Sequence, residues 1–207
     1  MSRGVGSFEP SFWGPRVVRI RSEPLSVTFS EEKPGLIPSS QEPKSWLEAQ
    51  AAAKDQPSSS ADELWMEEAL RCAQRALEMG EVPVGAVIVS EGKIVGRGWN
   101  RNIIDRDPSA HAEVIALREA GAHIDNHRLE RCELFVTIEP CAMCAGAMVH
   151  ARIQRLVYGS DDPKAGAVHS VMQVLNHPHL NHRIEIRGGV LAGRSAEILQ
   201  TFFKNRR

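Results

Sequence analysis

Four residues in the second half of the chain have the types and spacing of a catalytic metal site: His111, Glu113, Cys141 and Cys144. Catalytic zinc takes three protein ligands and keeps its fourth position for water. One imidazole and two thiols supply such a set. Because the cysteines are three residues apart, a helix would place both sulfurs on one face, within reach of one ion. We therefore predict one Zn²⁺ per subunit, held by His111, Cys141 and Cys144.

Glu113 is the candidate proton carrier of this site, because the three protein ligands of the metal are already supplied by other residues. Zinc lowers the pKa of a bound water from about 15.7 towards 7. A carboxylate beside the metal can accept the released proton and return it to the reacting substrate. Pro140 favours a helix start before Cys141, since a residue in the first turn needs no N–H partner. The positive end of that helix would favour the thiolates.

Each motif taken alone has other interpretations. His-x-Glu is common by chance, and Cys-x-x-Cys also occurs in redox pairs and in structural zinc sites. A redox pair would leave His111 unexplained, and a structural zinc site would need a fourth ligand. His150 lies on the other side of the helix from Cys144. The combination favours catalysis. Three further histidines could imitate a metal cluster, but solvation is their expected state: His177, His179 and His182.

The segments around these residues alternate between helices and strands, as in a layered α/β domain. The first helix follows Ser60-Ala-Asp-Glu63, which has the spacing of a capping box, and ends at Gly80. Residues 99–109 read as a polar loop and residues 165–181 as ambiguous. The remaining predicted elements are strands over 82–89, 93–98, 133–138, 155–159 and 183–187, and helices over 110–120, 141–151 and 195–205.

Residues 1–60 differ in composition from the rest, holding seven of the twelve prolines and few aliphatic runs. Such a segment buries too little apolar surface to offset its ordering entropy. We predict a disordered extension over 1–60 and one domain over 61–207. The net charge of −1 means that any nucleic-acid contact needs a local basic patch. No membrane-spanning run or secretory signal is recognised, so a cytoplasmic protein is expected.

The combined motifs resemble the zinc nucleobase deaminases, which pair His-x-Glu with Pro-Cys-x-x-Cys. Residues 64–207 are similar to the bacterial tRNA-specific adenosine deaminases, of the cytidine and deoxycytidylate deaminase superfamily, over nearly their whole length. The C-terminal stretch from Phe202 to Arg207 is part of this similarity. The other matching stretches are Glu81-Val-Pro-Val-Gly-Ala-Val87, Gly98-Trp-Asn-Arg101, Asp107-Pro-Ser-Ala-His-Ala-Glu113, Glu139-Pro-Cys-Ala-Met-Cys-Ala-Gly-Ala-Met148 and Asn181-His-Arg183.

The resemblance implies a three-layer α-β-α sandwich around a five-stranded mixed sheet, assembled as a homodimer. It implies hydrolytic conversion of adenosine to inosine at the wobble position of a tRNA anticodon, with attack at C6 of adenine. By position, Asn100 would hydrogen-bond the base, Val84 would form an apolar wall, and the backbone at Ala112 would face the base. The candidates for phosphate contacts in the anticodon stem-loop are Arg101, Lys164, Lys204, Arg206 and Arg207.

Two departures and two alternatives accompany this resemblance. The leader of about sixty residues has no counterpart in the short family members, and Asn102 stands where the family often has proline. One alternative is a deaminase of a free base or nucleoside, such as guanine or cytosine. The other is a non-catalytic zinc-stabilised RNA-binding module or a silent partner of a heterodimer. Glu113 argues against the latter, because a silent chain needs no proton carrier.

Overall fold

The structure, a computed structural model, describes residues 59–177 and 179–206. The extension predicted over 1–60 lies outside the described residues except for its last two positions, and Arg207 also lies outside them. The elements in chain order are α1 (Ser60–Glu78), β1 (Gly85–Ser90), β2 (Lys93–Trp99), α2 (Asn102–Asp105), α3 (Ala112–Ile124), β3 (Cys132–Ile138), α4 (Ala142–Ala151), β4 (Arg155–Ser160), β5 (Glu185–Arg187) and α5 (Ala192–Lys204).

The five strands form one mixed sheet in the order β2-β1-β3-β4-β5. Strand β1 pairs antiparallel with β2, through a tight hairpin, and with β3. Strands β3, β4 and β5 are mutually parallel. Parallel neighbours need a crossover connection, and α4 supplies the one between β3 and β4. The five-stranded mixed sheet is therefore confirmed.

Helices cover both faces of this sheet, because successive strand residues point to opposite sides. On one face, Ile88 and Leu134 are fully buried in a cluster with apolar residues of α3 and α4. On the other face, Val87 and Phe135 pack against α1. Helix α5 also packs on β4 and β3. The predicted three-layer arrangement is confirmed.

Several element boundaries differ from those that the sequence predicts. The cap of α1 is Ser59 rather than Ser60, because the Ser59 hydroxyl accepts from the backbone N–H of Asp62 at 3.1 Å. Helix α3 continues through Gly121 to Ile124, since one interior glycine costs only about 1 kcal/mol. The polar loop contains the short helix α2, and the ambiguous 165–181 region forms turns without a helix among its described residues. The last helix begins at Ala192.

A close approach of α3 to β2 places the His-x-Glu motif beside the sheet. A Cβ atom at Gly98 would lie 1.9 Å from the carbonyl oxygen of Ala112, so a side chain there would push the helix start away. His111 immediately precedes α3 and Asn100 immediately follows β2. The glycine therefore allows the end of β2, which precedes Asn100, to lie against the start of α3, which follows His111.

A charged cluster ties the start of α1 to the sheet. Arg155 donates to both carboxylate oxygens of Asp62, at 2.7 and 2.9 Å, and also bonds Glu133 and Glu185. The Asp62 side chain is 4% exposed. Burial alone would raise its pKa, but the hydrogen bonds and charge of Arg155 outweigh burial, and the pKa of Asp62 is lowered. Its contribution to stability is present above about pH 4 and is lost as the pH falls through its folded-state pKa.

Replacing Arg155 by alanine should lower the free energy of unfolding by about 3 kcal/mol, because it leaves a buried carboxylate without its main partner. Urea denaturation at neutral pH measures this change. Arg118→Ala is the matched control: its side chain is 63% exposed and lies 3.9 Å from Asp107, so its effect should stay within about 0.5 kcal/mol. Equal losses in the two variants would contradict a structural role for the buried pair.

None of the helices in the described part of the chain has the length and apolar composition needed to cross a membrane.

Candidate metal centre and its cavity

The three predicted metal ligands meet where two helices begin. His111 directly precedes α3, Cys141 directly precedes α4, and Cys144 lies in the first turn of α4. Both sulfur atoms lie 3.6 Å from Nδ1 of His111. The three donor atoms lie within 4.8 Å of one another. Side chains that are thirty residues apart in the sequence are thus brought to one point.

This spacing fits a tetrahedral metal ion. Zinc bonds of about 2.3 Å to sulfur and 2.0–2.1 Å to nitrogen place the two donor atoms about 3.6 Å apart at a tetrahedral angle. The observed separations between Nδ1 and the two sulfurs equal that value. One imidazole and two thiolates are also the ligand types that suit zinc. The described residues therefore include a group that can hold a metal ion.

The two thiols of this group affect each other's ionisation in opposite directions. Hydrogen bonds from the Cys144 thiol and from His111 lower the pKa of Cys141 to about 3, although burial opposes the shift. The same contact with Cys141, together with burial and the Glu113 charge, raises the pKa of Cys144. Hydrogen bonding to Cys141 also raises the pKa of His111. A divalent cation would remove this conflict, because it favours the deprotonated form of every ligand.

Glu113 lies in the first turn of α3 and is 3% exposed. Burial raises the pKa of its carboxyl group, while the neighbouring His111 opposes the shift. A carboxyl group with a raised pKa exchanges protons closer to neutral pH than an ordinary one. Glu113 lines the same cavity as His111 and Cys141. The site thus combines a group of side chains that can hold a metal ion with an adjacent carboxyl group that can exchange protons.

The cavity beside the cluster has a volume of about 360 Å³. Its apolar wall includes Val84, Ile138 and Leu199, and its polar wall includes Asn100 and Lys164. A larger groove of about 690 Å³ runs between α3 and α4, but none of the three metal-binding residues lines it. The smaller cavity is therefore the candidate site, because His111, Cys141 and Glu113 line it.

Asn100 and Val84 both reach this cavity, whereas Ala112 does not line it. Asn100 is 7% exposed, and its Oδ1 accepts from the backbone N–H of Ala112 at 2.9 Å. That bond satisfies a donor at the start of α3 and leaves the amide NH₂ of Asn100 as the group that can donate into the cavity. The backbone N–H of Ala112 already has this partner.

Of the five basic residues predicted to contact phosphate, only Lys164 lines the cavity among those that the structure describes. Arg101 forms a two-pronged pair with Asp105 at 2.8 and 2.9 Å. Arg206 lies 4.4 Å from the ring of Phe202 and donates to the carbonyl oxygen of Gly80. Lys204 is exposed at the end of α5, and Arg207 lies outside the described residues.

The further histidines do not come together as a metal-binding group in the described part of the chain. His177 and His179 place their rings 5.6 Å apart, while Nε2 of His182 lies 2.7 Å from the carbonyl oxygen of Ile153. A second compact group does exist, made of Glu139, Asp161 and His169. The Glu139 carboxylate, however, already accepts five hydrogen bonds.

Two buried carboxylates near the cavity were not singled out from the sequence. Glu81 accepts from the backbone N–H groups of Ile103 and Ile104 at 2.9 and 2.8 Å, which holds α2 behind Asn100. Glu139 lines the cavity and binds the loop after β4. Each acid stands next to an apolar segment of the sequence: Glu81 precedes Val82 and Glu139 follows β3. An acidic residue in such a position is the one sequence signal that could have indicated them.

Comparison with known proteins identifies relatives of this chain. The MafB19-like deaminase family matches residues 60–207. The tRNA-specific adenosine deaminase of Haemophilus influenzae is 48% identical over 147 residues, covering 70% of this chain and 85% of the relative. The protein of that name from Buchnera aphidicola is 43% identical over 149 residues, covering 72% of this chain and 98% of the relative.

A solved structure of a tRNA deaminase is also similar to this chain. It comes from work on A-to-I editing by tRNA:A34 deaminases at the wobble position of transfer RNA, and matches with a TM-score of 0.64 and 44% identity. The match covers 65% of this chain and 98% of that chain. Since sequence and fold agree over nearly the full length of these relatives, the chain belongs to the family of tRNA-specific adenosine deaminases.

Proposed function

We propose that this protein hydrolyses the 6-amino group of adenosine at the wobble position of a tRNA anticodon, producing inosine and ammonia, with one Zn²⁺ per subunit. The observation that carries the proposal is the convergence of His111, Cys141 and Cys144 beside a cavity that His111, Cys141 and Glu113 line. The names of the close relatives support the choice of substrate. We also propose that the reaction takes place in the cytoplasm, as one compartment that contains tRNA.

His111, Cys141 and Cys144 would hold the ion through Nδ1 and the two Sγ atoms. When bound, zinc supplies Lewis-acid activation of a water molecule. The Glu113 carboxylate would accept a proton from the attacking water and deliver one to N1 of the adenine ring as the C6–O bond forms. It then carries the second proton to the amino nitrogen, which leaves as ammonia when the C6–N bond breaks. Glu113 ends as a carboxylate, so adenosine and water give inosine and ammonia.

The cavity walls suit a flat, polar ring. Val84, Ile138 and Leu199 offer apolar contact to its faces, and the amide NH₂ of Asn100 can donate to a ring nitrogen or oxygen. Glu113 itself is only 3% exposed, so a base that fills the cavity would cover what remains of its contact with water. A base in an unpaired anticodon loop reaches such a cavity at a lower cost than a paired base.

Lys164 is the cation best placed to meet RNA phosphate at this cavity, and Arg101, Lys204, Arg206 and Arg207 remain proposed contacts further from it. We also propose a homodimer, as the family resemblance implies. The apolar groove between α3 and α4 offers surface for a second copy, although Ala145 and Met148 of α4 are fully buried within the subunit. A monomer in sedimentation experiments would contradict the homodimer.

The proposed function predicts that the protein forms inosine at the first anticodon base of a stem-loop carrying adenosine there. Nuclease digestion and mass spectrometry locate the inosine. A stem-loop with guanosine at that position and adenosine elsewhere in the loop is the control, and it should stay unmodified. Ammonia release from guanine, cytosine or free nucleosides that exceeds release from the stem-loop would instead select a free-base deaminase. A zinc-loaded protein inactive on every amine would be a non-catalytic module.

A further inference from the structure

The carboxylate of Glu139 accepts hydrogen bonds from several residues of the loop between β4 and β5. It is 1% exposed, and Oε1 accepts from three successive backbone N–H groups at 2.8–3.0 Å, those of Val168, His169 and Ser170. Its Oε2 accepts from the backbone N–H of Asp162 at 3.1 Å and from the Ser170 hydroxyl. Five donors exceed the roughly four acceptor positions of a carboxylate, so none of these positions is left for another partner. Glu139 is thus satisfied without a metal ion or substrate.

The hydrogen bond between Oε2 of Glu139 and the backbone of Asp162 is the first of a series that reaches the cavity. The side chain of Asp162 accepts, through Oδ1, from the backbone N–H groups of Lys164 and Ala165 at 2.9 and 3.2 Å. Asp162, Lys164 and Ala165 all line the cavity. One chain of hydrogen bonds therefore runs from a buried anion to the backbone of the exposed lysine at the cavity wall.

The loop also contacts the segment that bears the candidate metal ligands. Cys141 and Gly166 form an isolated β-bridge, and the backbone N–H of Ala167 donates to the carbonyl oxygen of Pro140 at 2.8 Å. A Cβ atom at Gly166 would lie 2.2 Å from Oε2 of Glu139, so only glycine permits this approach. The loop lacks a helix or named strand between 161 and 170, and its conformation depends on such bonds.

We propose that Glu139 is a positioning residue for RNA binding: through Asp162 it fixes the backbone that places Lys164 at the cavity wall, where the lysine meets substrate phosphate. The inference rests on the proposed tRNA substrate and deepens it. Glu139 takes no part in proton transfer or metal binding in this scheme, because its oxygens are occupied within the loop. Its effect appears in substrate affinity.

The test uses the full-length, zinc-loaded protein and an anticodon stem-loop, with Kd measured by fluorescence anisotropy and KM and kcat measured from inosine formation. Glu139→Gln should raise Kd and KM by about tenfold, with kcat changed by less than about threefold and zinc content unchanged. Lys164→Ala should give a similar increase. Because both changes remove one contact, the double variant should be no weaker than Lys164→Ala alone. Each variant should also reduce the salt dependence of Kd by about one phosphate contact.

Asp162 provides a second variant if Glu139→Gln does not fold. Asp162→Ala removes the acceptor for the backbone N–H groups of Lys164 and Ala165 and should bind about tenfold more weakly. Lys93→Ala, an exposed lysine of β2, is the control for charge alone. A loss of kcat or zinc with unchanged Kd, or additive effects of Glu139→Gln and Lys164→Ala, overturns the proposal. Stem-loop binding without inosine formation would refute the proposed reaction and leave this inference standing.

Discussion

Glu113→Ala should reduce inosine formation by about 10² to 10⁴-fold while the protein keeps one zinc ion per chain. The carboxyl is buried and lines the cavity beside the candidate metal ligands, so its removal takes away the proposed proton carrier of the reaction. The three donor atoms for the ion belong to other residues, and the metal should stay bound. Single-turnover assays on the anticodon stem-loop, combined with elemental analysis of the same preparation, measure both quantities.

Glu119→Ala is the matched control for this experiment. Glu119 lies on the same helix, is exposed, and accepts from the backbone N–H of Arg97. Its replacement should leave inosine formation within about twofold. A Glu113→Ala protein that retains activity would exclude the proposed proton transfer. One that loses zinc would make Glu113 a residue of the metal site instead.

Cys144→Ser should abolish both metal binding and activity. Cys144 is fully buried, with its sulfur 3.6 Å from Nδ1 of His111, and a hydroxyl is a poor ligand compared with a thiolate. Zinc content should fall from one ion per chain to less than about a tenth. Added zinc should raise the Tm of the metal-free parent protein, because an ion that binds only the folded state stabilises it. It should leave the Tm of Cys144→Ser unchanged.

Cys132→Ser controls for the loss of a buried thiol. Cys132 is buried at the start of β3 and does not belong to the group formed by His111, Cys141 and Cys144, so it is not a metal ligand in this proposal. That variant should keep its zinc and its activity, even if its stability falls. Full zinc occupancy in Cys144→Ser, or restoration of activity in a chelated protein without added metal, would contradict the assignment of the metal centre.

Much of this architecture was predictable because local signals are strong in the segments concerned. The β-branched run that contains β1 and the glycines around the hairpin indicate an antiparallel pair without any knowledge of the rest. His111, Cys141 and Cys144 were predictable as a group, since their chemistry restricts the ways in which they can act together. The helix start before Cys141 follows from Pro140.

The remainder depends on contacts that have no local signature. Gly121 predicts a helix end, but packing of α3 on the sheet carries the helix one further turn. The loop after β4 shows no periodicity, because its conformation is set by the Glu139 carboxylate, 23 to 31 residues earlier in the chain. Likewise, Arg101 and Arg206 look like free cations in the sequence, and only the folded chain shows their partners Asp105 and Phe202.

The strand order has a consequence for how binding of the proposed zinc ion would be coupled to unfolding of the protein. His111 follows β2 and the two cysteines follow β3, and β1 lies between these strands in the sheet. The denatured chain offers only the local pair of thiols, a much weaker chelate than three ligands held in place. Zinc dissociation and separation of the β1–β2 hairpin from β3 should therefore occur together. A measured loss of zinc affinity would then indicate that β2, β1 and β3 are no longer paired.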